Sequence, residues 1–261
     1  MHRNLKTPIK VTFLGTGTSI GVPVITCDCP VCLSPDQHDK RMRTSAMLEV
    51  NGMTFVIDCG PDFRIQMLRE NVTNLDAVIF THEHRDHIAG LDDVRAFNYV
   101  LNKRIDIYGT QRVMDAIRTE FPYIFSETRY FGAPQLTIHD ITDKPFEING
   151  IEFIPIQVMH DKLPVTGFRV GDFTYITDAS FISDVEMEKI TGSRVIVLNA
   201  LRNSKHVSHF SVSEAVGILT KLEPEAAFLT HLSHFVGLHE EVNRKLPPNI
   251  RLAYDGLTVT L

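Results

Sequence analysis

The feature that most constrains this chain is Thr81-His82-Glu83-His84-Arg85-Asp86-His87, an H-x-H-x-D-H run directly behind the apolar segment Ala77–Phe80. Alternation in an extended or turning segment puts His82 and His84 on one side, and Asp86 and His87, past the turn, aim at a neighbouring point. One short loop can therefore serve two metal ions, provided a buried strand precedes it and partner ligands arrive from elsewhere. Three candidates stand directly behind other apolar runs. Ile151–Gln157 leads into Val158-Met159-His160, Phe173–Ile176 into Thr177-Asp178, and Ala226–Leu229 into Thr230-His231. Singly, such residues are ordinary turn formers. Together with the cluster they make five imidazoles and two carboxylates. Imidazole suits Zn, Mn, Fe or Ni, and a carboxylate with two oxygens can bridge ions about 3.5–4 Å apart. A hydroxide bridging two such ions is nucleophilic at neutral pH, and the cations neutralise charge developing on a phosphoryl or acyl group, so the chemistry is metal-assisted hydrolysis.

Strand-length runs rich in Val, Ile and Phe recur along the chain: Lys10–Leu14, Ala46–Val50, Thr54–Ile57, Ala77–Phe80, Ile105–Tyr108, Ile151–Ile156, Phe173–Ile176, Val195–Leu198, Ala226–Leu229 and Leu257–Leu261. Helical patterns fall at Phe63–Glu70, Leu91–Leu101, Gln111–Glu120, Ser183–Ile190, Ser211–Leu222 and His239–Lys245, the Ser211 one opening on a capping-box spelling. Asn51-Gly52, Asn149-Gly150 and Gly171-Asp172 mark tight reversals. Hairpins mixed with strand–helix alternation predict mixed sheets rather than one parallel sheet. Glu127–Pro145 reads as an irregular connection or flap.

The order H-x-H-x-D-H, distant His, distant Asp, last His resembles the metallo-β-lactamase superfamily over nearly the whole chain. The resemblance implies an α/β four-layer αβ/βα sandwich, a single domain over residues 1–261, with a two-metal site at the shared edge of two mixed sheets. It places His82, His84 and His160 on one ion, Asp86, His87 and His231 on the other, and Asp178 between them. Within the superfamily the chain looks closest to the phosphoribosyl cyclic phosphodiesterase group of phosphonate breakdown. That group holds a structural zinc with three loop cysteines and a C-terminal histidine. Cys27-x-Cys29-x-x-Cys32 supplies the thiolates here, and His234 or His38 the fourth ligand, with His231-Leu232-Ser233-His234 matching the group's spacing. The histidine before the capped helix, His209 with His206 as runner-up, would then donate a proton to the leaving group. The catalytic set is His209 with Asp86 and Asp178, and the cofactors are two divalent ions, zinc or manganese, plus one structural zinc.

Other residues read more plainly. Asp58, behind a strand, reads as a support that hydrogen-bonds a ligand imidazole. Cys59 reads as a core thiol, and His2, His139 and His239 as tail or surface residues. Gly15-Thr16-Gly17-Thr18-Ser19-Ile20-Gly21 lacks the spacing and following helix of a dinucleotide fingerprint, and reads as a loop whose amides approach substrate. Arg85, Arg202 and Lys205 read as solvated charges.

Charge narrows the substrate. Against 32 Asp+Glu stand 26 Lys+Arg, a formal net charge of -6. Long nucleic acid needs clustered basic residues, so a small anionic phosphodiester is the better partner. A transfer-RNA 3′-processing nuclease remains an alternative within the superfamily, without the basic arm that such enzymes add. A pyrroloquinoline-quinone-biosynthesis-type protein, with its usually degraded metal pattern, and a non-catalytic metal module are the others. No apolar signal or membrane span is legible, which places the chain in the cytoplasm by default. A homodimer is implied by the resemblance alone.

Overall fold

The computed structural model describes residues 8–126, 128 and 130–261; His2 and Glu127, read above as tail and loop, lie outside them. The first half of the chain forms β1 (Lys10–Gly15), β2 (Ser45–Val50), β3 (Met53–Ile57), β4 (Ala77–Ile79), β5 (Ile105–Gly109) and β6 (Leu136–Asp140). The second half forms β7 (Phe146–Ile148), β8 (Ile151–His160), β9 (Leu163–Val170), β10 (Phe173–Ile176), β11 (Phe181–Ile182), β12 (Val195–Asn199), β13 (Ala226–Thr230) and β14 (Ile250–Leu252). The last strand, β15 (Thr258–Thr260), returns to the first half. The sheets run β15-β1-β2-β3-β4-β5-β6 and β11-β8-β9-β10-β12-β13-β14, with β7 paired to β8. Each is antiparallel in its hairpin portion and parallel in the other, from β3 to β6 and from β10 to β14. The expected mixed sheets are therefore present.

Side-chain alternation explains the layering. Phe55, Ile57, Ala77 and Ile79 face the second sheet, where they join Phe153, Phe168, Phe173 and Tyr175 in one core. The intervening Val56, Val78 and Phe80 pack outward with Phe63, Phe97, Val113 and Ile117 of the covering helices. On the other side Ile196 and Leu198 pack outward with Ala215 and Leu219 of the helix Val212–Leu222. Both faces of the central strands are buried, which is why they read as unbroken apolar runs. Turn chemistry follows the sequence: Asn51 and Gly52 take positive φ between the paired Val50 and Met53, as a two-residue hairpin demands. The Ser211–Glu214 capping box is formed.

Three readings are corrected. The Glu127–Pro145 connection contains the edge strand β6, parallel to β5, whose polar Thr137, His139 and Asp140 hid it. The strand β9 escaped notice because Pro164, Gly167 and Arg169 interrupt its apolar pattern. His239 is buried, not superficial: its Nδ1 lies 3.2 Å from the buried Arg41 guanidinium. Among the described residues no helix is long and apolar enough to cross a membrane.

Candidate metal centre

The parallel strands of both sheets end at one common edge, the place where open α/β sheets hold ligands. Behind β3 stands Asp58, behind β4 the Thr81–His87 loop, behind β10 Asp178 and behind β13 His231, while His160 ends β8. Asp58, Asp178 and His231 all take positive φ, 63°, 52° and 56°, so the chain turns sharply as it leaves each strand. Such strained conformations persist only where the surroundings over-determine them, and they gather at functional sites. The H-x-H-x-D-H loop is packed tightly from behind: a Cβ on Gly60 would lie 2.0 Å from the Asp86 carbonyl oxygen. Salt bridges from Arg112 to Glu83 (3.2 Å) and Arg85 to Glu120 (2.5 Å) tie the loop to the helix Gln111–Glu120.

Asp178 is the common member of three donor groups whose ligand atoms lie within 4.8 Å of one another: Asp86, His87 and His231; His82 and His84; His160 and His209. Its Oδ1 is 3.1 Å from His231 Nδ1 and 3.5 Å from His87 Nε2, and its Oδ2 is 3.8 Å from His82 Nε2. His87 Nε2 is also 3.2 Å from Asp86 Oδ2. The expected grouping of His160 with His82 and His84 is looser. The ring centre of His160 stands 6.0 and 5.2 Å from theirs but 4.4 Å from that of His209.

Whether these residues suit a divalent cation is decided by their unpaired atoms. His82 Nε2, His87 Nε2, His209 Nδ1 and His231 Nδ1 are buried without a hydrogen-bond partner, and each such nitrogen costs about 1–3 kcal/mol unless something else satisfies it. Burial first, then neighbouring imidazoles, holds His82 and His209 well below the ordinary histidine range, and burial lowers His231. Burial works to raise Asp178 and Asp86, yet adjacent histidines outweigh it and keep both carboxylates ionised. Burial opposes charge on His87, but Asp86, Asp58 and Asp178 outweigh it and hold the ring above its usual range. With the His87 Nε2 proton displaced by a cation, neutral imidazoles and ionised carboxylates converging on one point form a donor set suited to divalent cations.

The supporting contacts are specific. His87 Nδ1 donates to Asp58 Oδ2 (2.7 Å), and Asp58 also accepts from the backbone N–H and the hydroxyl of Thr81, each at 2.8 Å. His160 Nδ1 donates to the Ser208 carbonyl (2.7 Å), so the loop that carries His209 also orients His160. These hydrogen bonds fix which ring nitrogen points inward. Sequence reasoning found Asp58 but missed Thr81 and Ser208; a carbonyl acceptor leaves no residue-type signature.

Cys27, Cys29 and Cys32 Sγ lie 3.3, 3.4 and 3.5 Å from His234 Nδ1. A tetrahedral zinc with ordinary Zn–S and Zn–N bonds separates such atoms by about 3.5 Å, so the four fit one ion. Cys29 accepts from the Cys32 N–H, which with contacts from His234 lowers its thiol to about 6 despite burial. His38 is elsewhere, its ring 4.1 Å from that of Tyr254 and 4.8 Å from that of His239. Cys59 is fully buried in the core.

Other candidates resolve differently. In the glycine-rich loop the amides of Thr16, Gly17, Thr18 and Gly21 donate to Asp255, Met42, Leu232 and Thr18 respectively, so for these four the expectation that they reach substrate is corrected. His206 Nδ1 is held by Ser208, whereas His209 packs 4.8 Å from the His231 ring. Arg202 braces its own loop through the carbonyls of Ser204 and Lys205.

Residues 53–232 match the family described as Beta-lactamase superfamily domain. The chain belongs to the metallo-β-lactamase superfamily. The fold implies divalent metal ions. A solved diphosphatase from the PhnP family superposes on this superfamily member with a TM-score of 0.90 at 40% identity, covering 96% of this chain and 97% of that one. An octanoyltransferase of Porphyromonas gingivalis is 39% identical over 252 residues, which are 95% of this chain and 51% of the relative. A ribonuclease Z of Mycobacterium marinum is 28% identical over 179 residues, 62% of this chain and 58% of that protein. The chain spans about half the length of the curated relatives it matches.

Proposed function

We propose that the chain hydrolyses a small phosphodiester, cyclic diesters included, at a paired metal centre. The observation that carries this reading is the position of Asp178 as the shared member of three donor groups, ringed by buried imidazole nitrogens without partners. His82, His84 and His160 would hold one ion, Asp86, His87 and His231 the second, and Asp178 would reach both. Divalent ions at this point, zinc or manganese, supply charge for a phosphoryl oxygen and make water nucleophilic at neutral pH. Asp58 holds the His87 ring in the orientation that turns Nε2 inward. His209, buried between His160 and His231, would deliver a proton to the leaving oxygen, the charge of a bound phosphate restoring the proton that burial and the neighbouring imidazoles disfavour. Cys27, Cys29, Cys32 and His234 would hold a structural zinc, which would tie the loop before β2 to the His231 turn.

The ribonuclease Z relatives favour a second reading, an RNA diester, and the diphosphatase neighbour adds a phosphoanhydride. The formal net charge of -6 favours the small substrate over a polyanion. Zinc- and manganese-loaded protein, with Asp178→Ala as control, is offered an activated phosphodiester, the matching monoester, a diphosphate, a short RNA, a β-lactam and a thioester. Small-diester turnover that disappears in the variant supports the proposal. Cleavage confined to RNA, to the diphosphate or to an acyl substrate replaces it with the corresponding reading.

A further inference from the structure

We propose that Asn199 is a positioning residue that sets the carboxylate of Asp178. The inference rests on the paired-centre reading above and concerns a strand that offers that centre no ligand. β12 lies between β10 and β13 in the parallel part of the second sheet, and both neighbours end in a proposed ligand, Asp178 and His231. β12 ends instead in Asn199, which is fully buried. Its Oδ1 accepts from the Ala179 N–H (2.7 Å) and its Nδ2 donates to the Ala179 carbonyl (3.0 Å).

The pairing has a physical logic. Up to Ile176, β10 is in register with β12, Ile176 opposite Leu198. Asp178 then takes φ 52°, so the main chain leaves the ladder just where its carboxylate must turn into the site. The Asn199 side chain, one donor and one acceptor on a short stem, replaces the lost ladder bonds at the next residue. Aspartate at this position keeps the acceptor and lacks the donor; leucine lacks both. The same Ala179 carbonyl accepts from Phe210 N–H (2.8 Å), so the bracket also anchors the residue next to His209. Among the described residues the Asn199 side chain bonds to Ala179 alone, and it is sealed from solvent, which excludes contact with substrate and leaves it the task of holding the Asp178 turn.

Asn98 provides an internal control. It is also buried and makes the same kind of backbone bracket, Nδ2 to the Lys103 and Gln135 carbonyls and Oδ1 from Gln135 N–H, all at 2.9 Å, away from the donor groups. Cobalt(II) is titrated into full-length wild type, Asn199→Ala, Asn199→Asp, Asn98→Ala and Asp178→Ala against a competing chelator. Visible absorption separates the thiolate-bound ion from the others, and melting temperatures are recorded in parallel. Asn199→Ala should weaken cobalt binding at the histidine–carboxylate centre by about 10–100-fold, as loss of a ligand's support does. The thiolate band should stay intact, and Asn98→Ala should melt lower with wild-type cobalt affinity. Asn199→Asp should fall between, and it decides the matter should the alanine variant not fold. Wild-type affinity in a folded Asn199 variant, or equal loss in Asn98→Ala, overturns the inference. A wild type that binds no more cobalt than Asp178→Ala overturns the paired centre and the inference with it.

Discussion

Asp58→Asn is the sharpest perturbation of the centre because it changes hydrogen-bond polarity without changing shape. The carboxylate accepts from three donors: His87 Nδ1 and the Thr81 hydroxyl at Oδ2, and the Thr81 N–H at Oδ1. An amide offers one accepting oxygen and a donating nitrogen. With the oxygen toward the Thr81 N–H, the NH2 faces His87 Nδ1, and the ring satisfies it only by moving its proton to Nε2, the nitrogen aimed at Asp86 and Asp178. With the oxygen toward His87, the NH2 opposes the Thr81 N–H and leaves a buried donor unpaired. The first arrangement removes a ligand lone pair and should weaken metal binding about 10–100-fold. The second costs about 1–3 kcal/mol of folding stability, and at about 2–4 °C per kcal/mol the melting temperature would fall by several degrees. Chelator competition and thermal melting, read together on one protein, tell the two apart. An Asn variant with unchanged metal affinity and unchanged melting would refute the assignment of Asp58 as the residue that orients His87.

Further outcomes follow from the same contacts. Asp178→Ala should abolish turnover and metal at the histidine–carboxylate centre while the thiolate site keeps its ion, checked by metal content per chain; loss of all metal would sink the division into two sites. His209→Ala should retain the metals and slow diesters with poor leaving groups most, visible as a steeper dependence of kcat on leaving-group pKa. His239 is held at about 4 by burial and by Arg41, below its ordinary 6.5. The unfolded chain therefore takes up the proton first, and this contribution to stability, present above about pH 6.5, is lost as pH falls toward 4. Burial raises Asp255 to about 6, which acts in the opposite sense over part of that window, its stabilisation being lost as pH rises. His239→Gln should thus remove the acid-side loss in a pH series of urea midpoints, and an unchanged profile would count against His239 as its source.

Most of the strands and the seven proposed ligands of the histidine–carboxylate centre could be read from the chain because their signals are local. A fully buried strand must be apolar along its length, and a ligand at a strand end is simply the next polar residue, as with Thr230-His231 behind Ala226–Leu229. Edge strands were harder. Leu136–Asp140 faces solvent on one side and carries Thr, His and Asp, so its pattern resembles a loop.

What the sequence by itself determined is therefore the inventory: which donors exist, that they stand at strand ends, and that three cysteines share one loop. Spacing alone left His38 and His234 as rivals for that loop, and His206 and His209 for the place beside the metals. Tertiary structure brings His234 to the cysteines and His209 against His160 and His231, because convergence depends on the order of strands in the two sheets. β13 runs beside β12, which delivers His231 to Asp178 and, three residues on, His234 to the cysteines. Only the fold, too, gave Asp178 its place among three donor groups and set Asn199 against its backbone, since those contacts join strand ends whose distance in sequence carries no record of their meeting.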